Sequence, residues 1–250
     1  MDLSLQKPQE VSRNHFLLNI KHKGPKPKPG QFINLKVNEN FDPLLRRPFS
    51  IFDHDQGTIK AIIKKIGRGT SILAQKTSQK EIDYLGPLGK PFNLLKKGKA
   101  LLIGGGVGNA PLFFLAKELT KNNIRLSFIY GTKTKRDIFL EANYRSLVNN
   151  FLVATEDGSQ GEKGLVTDLA SQICQKEKFD KIYTCGPTSM MQKIVKLFGK
   201  NIPIEVSLEN YFGCGIGLCS GCTVQTTDGL KRACVDGPVF EGQKIDWESL

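Results

Sequence analysis

Between residues 10 and 92 apolar and polar positions alternate in short runs: VSRNHFLLNIKHK, GQFINLKVN, RPFSIFDHD, TIKAIIKKIG and EIDYLGPLGKPF. A period of two is what a half-buried strand requires, because successive side chains leave opposite faces of the sheet. The intervening KGPKPKPG and DHDQG are glycine, proline and aspartate turns, so this part predicts a small antiparallel β-barrel. From residue 99 the rhythm changes. Apolar runs (KALLIGGG, IRLSFIYG, FLVATEDG, KIYTCGP, IPIEVSLE) alternate with helical stretches (NAPLFFLAKELTKN, DIFLEANYRSLVNN, LVTDLASQICQKE, TSMMQKIVKLFG). That order predicts crossovers and a parallel sheet covered on both faces, a doubly wound α/β domain. The last stretch has no apolar periodicity and reads as a small module folded around what it binds. The expected division is residues 1–95, 96–208 and 209–250.

Composition narrows the class. A chain of 250 residues is long enough to bury a core without staples. The opening MDLSLQKPQEVSRN lacks the basic and apolar regions of a signal peptide. The most apolar stretch, ALLIGGGVGNAPLFFLA, is broken by glycines and Pro111, so no membrane span is expected. The expected compartment is the cytoplasm, where thiols stay reduced and a cysteine cluster points to a metal site rather than to disulfides. The formal charge is +12, but 28 of the 36 basic residues are lysines scattered from Lys7 to Lys244. Without a basic helix or an aromatic ladder, they describe a solvated surface and not a nucleic-acid site. Such a surface still suits an acidic partner or a phosphate-bearing cofactor.

The chemistry is concentrated in a few motifs. Cys214, Cys219, Cys222 and Cys234 give C-x4-C-x2-C-x11-C. Structural zinc sites use paired short spacings and this stretch has one, whereas the x4-then-x2 order is the plant-ferredoxin-type [2Fe-2S] signature. The glycines between the thiols allow backbone N–H groups to approach inorganic sulfide. Zinc remains the alternative. LLIGGGVGNAP ends the first parallel strand with glycines that admit a pyrophosphate to a helix N-terminus, although Asn109 stands where the last glycine of G-x-G-x-x-G would fall. The alternative is a turn that only packs strand on helix. YGTKTKRD ends the second strand without the acidic residue that would hold a ribose, while Lys133, Lys135 and Arg136 offer charge for a 2'-phosphate or simply a solvated loop. In the barrel, Arg47 of RRPFS presents a fork of donors. Gly67, Gly69, Thr70 and Ser71 open a short helix, either as an anion site or as an ordinary N-cap. Cys185 ends a parallel strand, at the ligand-binding edge of such sheets. Cys174 reads as core, and His15, His22 and His54 carry no ligand or nucleophile pattern.

RPFS, GRGT, GPLG, GGGVGNAP, EDGS and YTCGP, in this order over nearly the whole chain, resemble the ferredoxin reductase family, which joins a flavin-binding barrel to a nicotinamide-binding sheet. GCGIGLCSGC and ACVDGPVF narrow the resemblance to the electron-transfer subunits of NAD-dependent (type B) dihydroorotate dehydrogenases, which append a [2Fe-2S] module. The resemblance implies that Arg47, Pro48, Phe49 and Ser50 contact FAD, that Ile62, Ile63 and Lys64 line it, and that Gly69 and Thr70 cap its phosphates. It also implies that Gly105, Gly106 and Gly108 receive the nicotinamide dinucleotide and that Cys185, Gly186 and Pro187 lie near the nicotinamide. The four cysteines would be the cluster ligands.

Nicotinamide exchanges two electrons as hydride and a [2Fe-2S] cluster passes one at a time, so a flavin has to stand between them. The implied activity is electron transfer from an FMN-containing catalytic dihydroorotate dehydrogenase subunit through the cluster and FAD to NAD+, in pyrimidine biosynthesis. The implied assembly is a heterotetramer of two subunits of each kind. No catalytic dyad is expected on this chain, since the acid–base residue for dihydroorotate would be the partner's. Two alternatives stand beside it: the same chemistry serving a hydrogenase, a sulfite reductase or a ferredoxin-dependent transhydrogenase, and a zinc-stabilised protein binding nucleic acid.

Overall fold

A computed structural model describes residues 5–39, 42–76 and 82–250 of the chain. The first part carries β1 (Gln9–Ser12), β2 (His15–Lys21), β3 (Phe32–Leu35), β4 (Arg47–Asp55), β5 (Thr58–Lys64), the short helix α1 (Arg68–Ala74) and β6 (Tyr84–Leu88). All neighbouring strands are antiparallel, in the order β1-β2-β5-β4-β3-β6. Alternation does what the sequence pattern requires of it. Along β5, Ile59, Ala61 and Ile63 are fully buried, Ile59 and Ile63 in one core with Leu18, Ile20, Ile33, Leu35 and Ile51, while Ile62 turns to the other face.

The second part contains β7 (Lys99–Gly105), α2 (Asn109–Lys121), β8 (Arg125–Thr132), α3 (Glu141–Arg145), β9 (Asn150–Thr155), β10 (Glu162–Lys163), α4 (Val166–Lys176), β11 (Lys181–Cys185), α5 (Thr188–Phe198) and β12 (Ile204–Ser207). These strands run parallel in the order β10-β9-β8-β7-β11-β12. Period two again divides the core: Leu102, Phe128 and Tyr130 face α2, whereas Leu101, Ile103 and Ile129 face the side of α4 and α5. Successive crossovers leave β7 in opposite directions, so the topological switch lies between β7 and β11, where such sheets bind ligands.

One predicted helix is much shorter than expected. DIFLEANYRSLVNN yields only the five residues of α3. Ile138 is extended, Phe139 is wholly buried and Leu140 has a φ of +51°. The Tyr130 hydroxyl donates to the Phe139 carbonyl and accepts from its N–H, so core burial of one aromatic ring overrides the helical pattern.

α2 is wedged against β4. Phe52 and Phe113 stack with ring centroids 4.3 Å apart. The buried Asp53 accepts from Lys117 Nζ at 2.7 Å and lies 3.5 Å from Lys60 Nζ. The final segment forms a hairpin, β13 (Thr223–Thr226) and β14 (Gly229–Arg232), and then β15 (Val239–Glu241), which pairs antiparallel with β12 at the edge of the parallel sheet. Cys222, Val224, Ala233 and Cys234 share a core with Ile182 and Val206. The segment without periodicity therefore borrows its hydrophobic support from its neighbour.

Candidate functional site

Two adjoining cavities occupy the sheet edge and the seam with the antiparallel sheet. The larger, about 700 Å³, lies over the switch point. Gly105, Gly106 and Val107 form its floor, Thr132, Lys133 and Glu156 one end, and Pro187 and Met190 the other, with Lys64 and Glu209 on the seam side. Gly106 has a φ of +56° and open space where a side chain would begin, so the loop offers bare backbone to a ligand. Asn109 explains the departure from the usual glycine fingerprint. Its buried Nδ2 donates to the carbonyls of Gly106 at 2.8 Å and Gly131 at 3.0 Å, stitching the loop to β8. Gly108 lies against the neighbouring loop instead of the cavity: a Cβ there would stand 2.5 Å from the Cys185 carbonyl oxygen.

The smaller cavity, about 290 Å³, is lined by Arg47, Pro48, Phe49, Ser50, Ile62, Lys64 and Thr70 from the antiparallel sheet and α1. Facing them are Ala110 and Pro111 of α2, then Leu208, Glu209 and Phe212. Of the candidates from this sheet, Ile63 points into its core, and Gly69 lies under Arg47, where a Cβ would be 3.0 Å from Nε. Arg47 Nη1 donates to the Leu45 carbonyl at 2.6 Å and has no carboxylate partner among the described residues, so its charge is available to a phosphate. Lys64, Val107 and Glu209 belong to both cavities, which makes them one continuous cleft.

At the far wall, Cys185 is buried, and burial pushes its thiol pKa well up. Of the Cys185-Gly186-Pro187 turn, Pro187 reaches the cavity surface. Glu209 was missed by sequence reasoning. Its surface opens onto the two cavities, and enclosure between them raises its carboxyl pKa, partly offset by Lys64. Glu156 also lines the larger cavity, and it follows the third parallel strand, not the second, where an acidic residue that holds a ribose usually stands. Of Lys133, Lys135 and Arg136, Lys133 alone lines the cavity. His15, assigned no role from sequence, forms part of the same wall, and burial lowers its pKa.

The cysteine loop brings its four thiols together as two pairs. Cys214 Sγ accepts the N–H groups of Ile216, Leu218 and Cys219 at 3.5, 3.2 and 3.4 Å, and Cys219 Sγ accepts the N–H of Cys214 at 3.4 Å. Cys222 Sγ accepts the N–H of Cys234 at 3.4 Å. These backbone donors, Ile216 foremost, lower the Cys214 pKa to about 6, while burial pushes Cys234 up to about 12. Gly215 and Gly217, with φ of +74° and +86°, permit the tight turn that aims the donors. All four thiols are free of disulfides. Among the described residues no three His, Cys, Asp or Glu side chains converge on one ion position. A binuclear iron centre needs only two thiolates on each iron, so the paired arrangement fits [2Fe-2S].

An antiparallel sheet, a parallel nucleotide-type sheet and a shared cleft between them define a reductase of the ferredoxin reductase class. The family model for the iron-sulfur cluster binding domain of dihydroorotate dehydrogenase B matches residues 209–246, and that for the oxidoreductase NAD-binding domain matches 102–196. The chain is 40% identical over 225 residues to the dihydroorotate dehydrogenase B (NAD(+)) electron transfer subunit of Bacillus caldolyticus, covering 87% of this chain and 86% of that one. It is 35% identical over 258 residues to the subunit of that name from Fusobacterium nucleatum, covering 99% and 98%. Among solved structures, one of an NADH-dependent reduced ferredoxin-NADP oxidoreductase superposes with a TM-score of 0.90 at 32% identity, covering 100% of this chain and 91% of that one. A ferredoxin NADP+ reductase from Neisseria gonorrhoeae shares the fold, with a TM-score of 0.68 at 14% identity, covering 80% and 91%. The chain belongs to the family of dihydroorotate dehydrogenase B electron transfer subunits.

Proposed function

We propose that this chain carries electrons between a catalytic dihydroorotate dehydrogenase subunit and NAD+ in pyrimidine biosynthesis. When bound, FAD trades two electrons with nicotinamide and single electrons with a [2Fe-2S] cluster. The observation that carries the reading is the continuous cleft: the nucleotide cavity and the smaller cavity share Lys64, Val107 and Glu209, and Phe212 links the second of them to the cysteine loop.

In this reading residues 1–95 hold FAD, 96–208 the nicotinamide dinucleotide and 209–250 the cluster. Arg47 and Thr70 hold the flavin phosphates, while Pro48, Phe49, Ser50, Ile62 and Lys64 enclose the flavin ring. Ile63 and Gly69 support those residues from behind. Gly105 and Gly106 bare the pyrophosphate site, and Gly108 fixes α2 against the Cys185-Gly186-Pro187 turn that bounds the nicotinamide end. Glu156 takes the adenosine ribose hydroxyls, and its charge opposes a 2'-phosphate. Cys214 and Cys219 hold one iron, and Cys222 and Cys234 the other. The first pair sits at the surface beside the exposed Tyr211 and Leu218 and faces the partner. That partner carries FMN and the acid–base residue for dihydroorotate, in a heterotetramer of two subunits of each kind, in the cytoplasm. Among the described residues no helix is long and apolar enough to cross a membrane.

A pull-down of the tagged chain from its own cell, assayed with dihydroorotate and NAD+, tests this. Orotate and NADH should appear with the complex, and the isolated chain should oxidise NADH with artificial acceptors yet make no orotate. Orotate production by the isolated chain would contradict the division of labour. The 0.90 TM-score match favours a second reading, a ferredoxin-dependent transhydrogenase subunit. A complex that reduces NADP+ with NADH and reduced ferredoxin, but does not reduce NAD+ with dihydroorotate, would select it.

A further inference from the structure

Asn34 is an anomaly in β3. It is wholly buried, between Ile33 and Leu35 of the sheet core. Its Nδ2 donates to the Cys214 carbonyl at 3.1 Å, and its Oδ1 has no partner. The opposite amide orientation would set Oδ1 against that carbonyl oxygen, so the donor has to face the loop. Leaving a buried polar atom unmade costs about 1–3 kcal/mol, and an apolar side chain of the same size would suit the sheet at least as well. The one contact that accounts for an amide here is the one to Cys214.

The surroundings agree. Gly215 comes so close that a Cβ on it would lie 2.5 Å from Asn34 Nδ2. Two residues away on the same face of β3, Phe32 packs on Phe212 with ring centroids 4.9 Å apart. β3 thus grips the loop at 212 and at 214. Across the ladder, Phe32 pairs with Ser50 and Asn34 with Pro48, both of which line the smaller cavity. Phe32 and Phe212 line that cavity as well, so β3 joins the cysteine loop to the cavity wall. With the Cys214 carbonyl held, the chain turns so that the three following N–H groups meet Cys214 Sγ, and bonds of that kind tune an iron-sulfur potential.

We propose that Asn34 is a positioning residue that locks the Cys214 loop onto the flavin sheet, fixing both the N–H donors around that sulfur and the separation between flavin and cluster. This rests on the reading of Cys214 as a cluster ligand and of the smaller cavity as the flavin site. The test uses the full chain loaded with FAD and cluster, as wild type, Asn34→Leu and Gly215→Ala, mixed anaerobically with NADH. Flavin bleaching should keep its wild-type rate in all three. Cluster reduction should slow about tenfold in both variants, and the reduced-state EPR g values should shift. Wild-type g values and both wild-type rates in Asn34→Leu would overturn the proposal. Loss of FAD together with the cluster in both variants would overturn it too, by making the pair part of the general sheet core. A wild-type chain free of acid-labile sulfide would overturn the ligand reading and the proposal with it.

Discussion

Four thiols divide into an exposed and a buried pair, and that division has consequences for each side chain. Cys214 and Cys219 are surrounded by backbone donors near the surface, whereas Cys222 and Cys234 lie within an apolar core shared with the parallel sheet. Serine at any of the four should abolish acid-labile sulfide while the chain stays yellow with FAD. Cys174→Ser, in α4 away from the loop, should leave the sulfide content unchanged, as sulfide and flavin analyses would show. Glu156 is the corresponding test at the nucleotide end. A hydrogen bond to a charged group contributes about 1.5–3 kcal/mol, so Glu156→Lys should lower kcat/KM for NADH by about 10- to 100-fold and raise it for NADPH. Steady-state kinetics with both nucleotides decide it. That the four cysteines gather in one loop was legible in the sequence because their spacing carries it. Glu156, Glu209 and Asn34 were not, since each matters only through neighbours that the fold brings from another strand or the cysteine loop.

The strands were legible at the level of elements because burial on one face imposes period two, which β2 and the start of β5 follow; β4 departs from it, with Ile51, Phe52 and Asp53 buried in succession where its register against β5 shifts. The same rule separates Ile62 from Ile63, which the family resemblance had placed in one site: β5 turns the first to the cleft and the second to the core. The helix expected over 137–150 failed for a reason that periodicity does not encode, the demand of Tyr130 for the Phe139 backbone. Two substitutions test the joints between elements. Gly108→Ala forces a methyl against the backbone of Cys185 and Gly186 and should cost about 1–3 kcal/mol, with a weakened NADH affinity. Asp53→Ala leaves Lys117 without its anion at the β4–α2 seam. It should cost about 3 kcal/mol and lower the melting temperature by on the order of 6 to 12 °C. Asp53→Leu combined with Lys117→Met should recover most of that loss in the same thermal scan.

At the scale of the molecule, one hydrophobic cluster runs across the three expected segments. Phe32 of the flavin sheet, Ile182 and Val206 of the parallel sheet, and Cys222 and Val224 of the cysteine loop belong to one hydrophobic cluster. β15 returns to close the edge of the parallel sheet. Unfolding followed by far-UV circular dichroism and by flavin release should therefore coincide in one transition, and two separated midpoints would contradict it. The net positive charge also finds a local use, because Lys64, Lys133 and Lys193 ring the nucleotide cavity, where a pyrophosphate would sit. The shared cleft and the linked cysteine loop together make the central claim, a path from nicotinamide through flavin to cluster within one chain. Anaerobic mixing of the loaded chain with NADH, followed by optical absorbance and freeze-quench EPR, tests that path most directly. The account predicts that flavin bleaching comes first and that a reduced-cluster signal follows from the same molecules, in a protein containing iron and acid-labile sulfide in equal amounts. A flavin that bleaches while no cluster signal ever follows would contradict it.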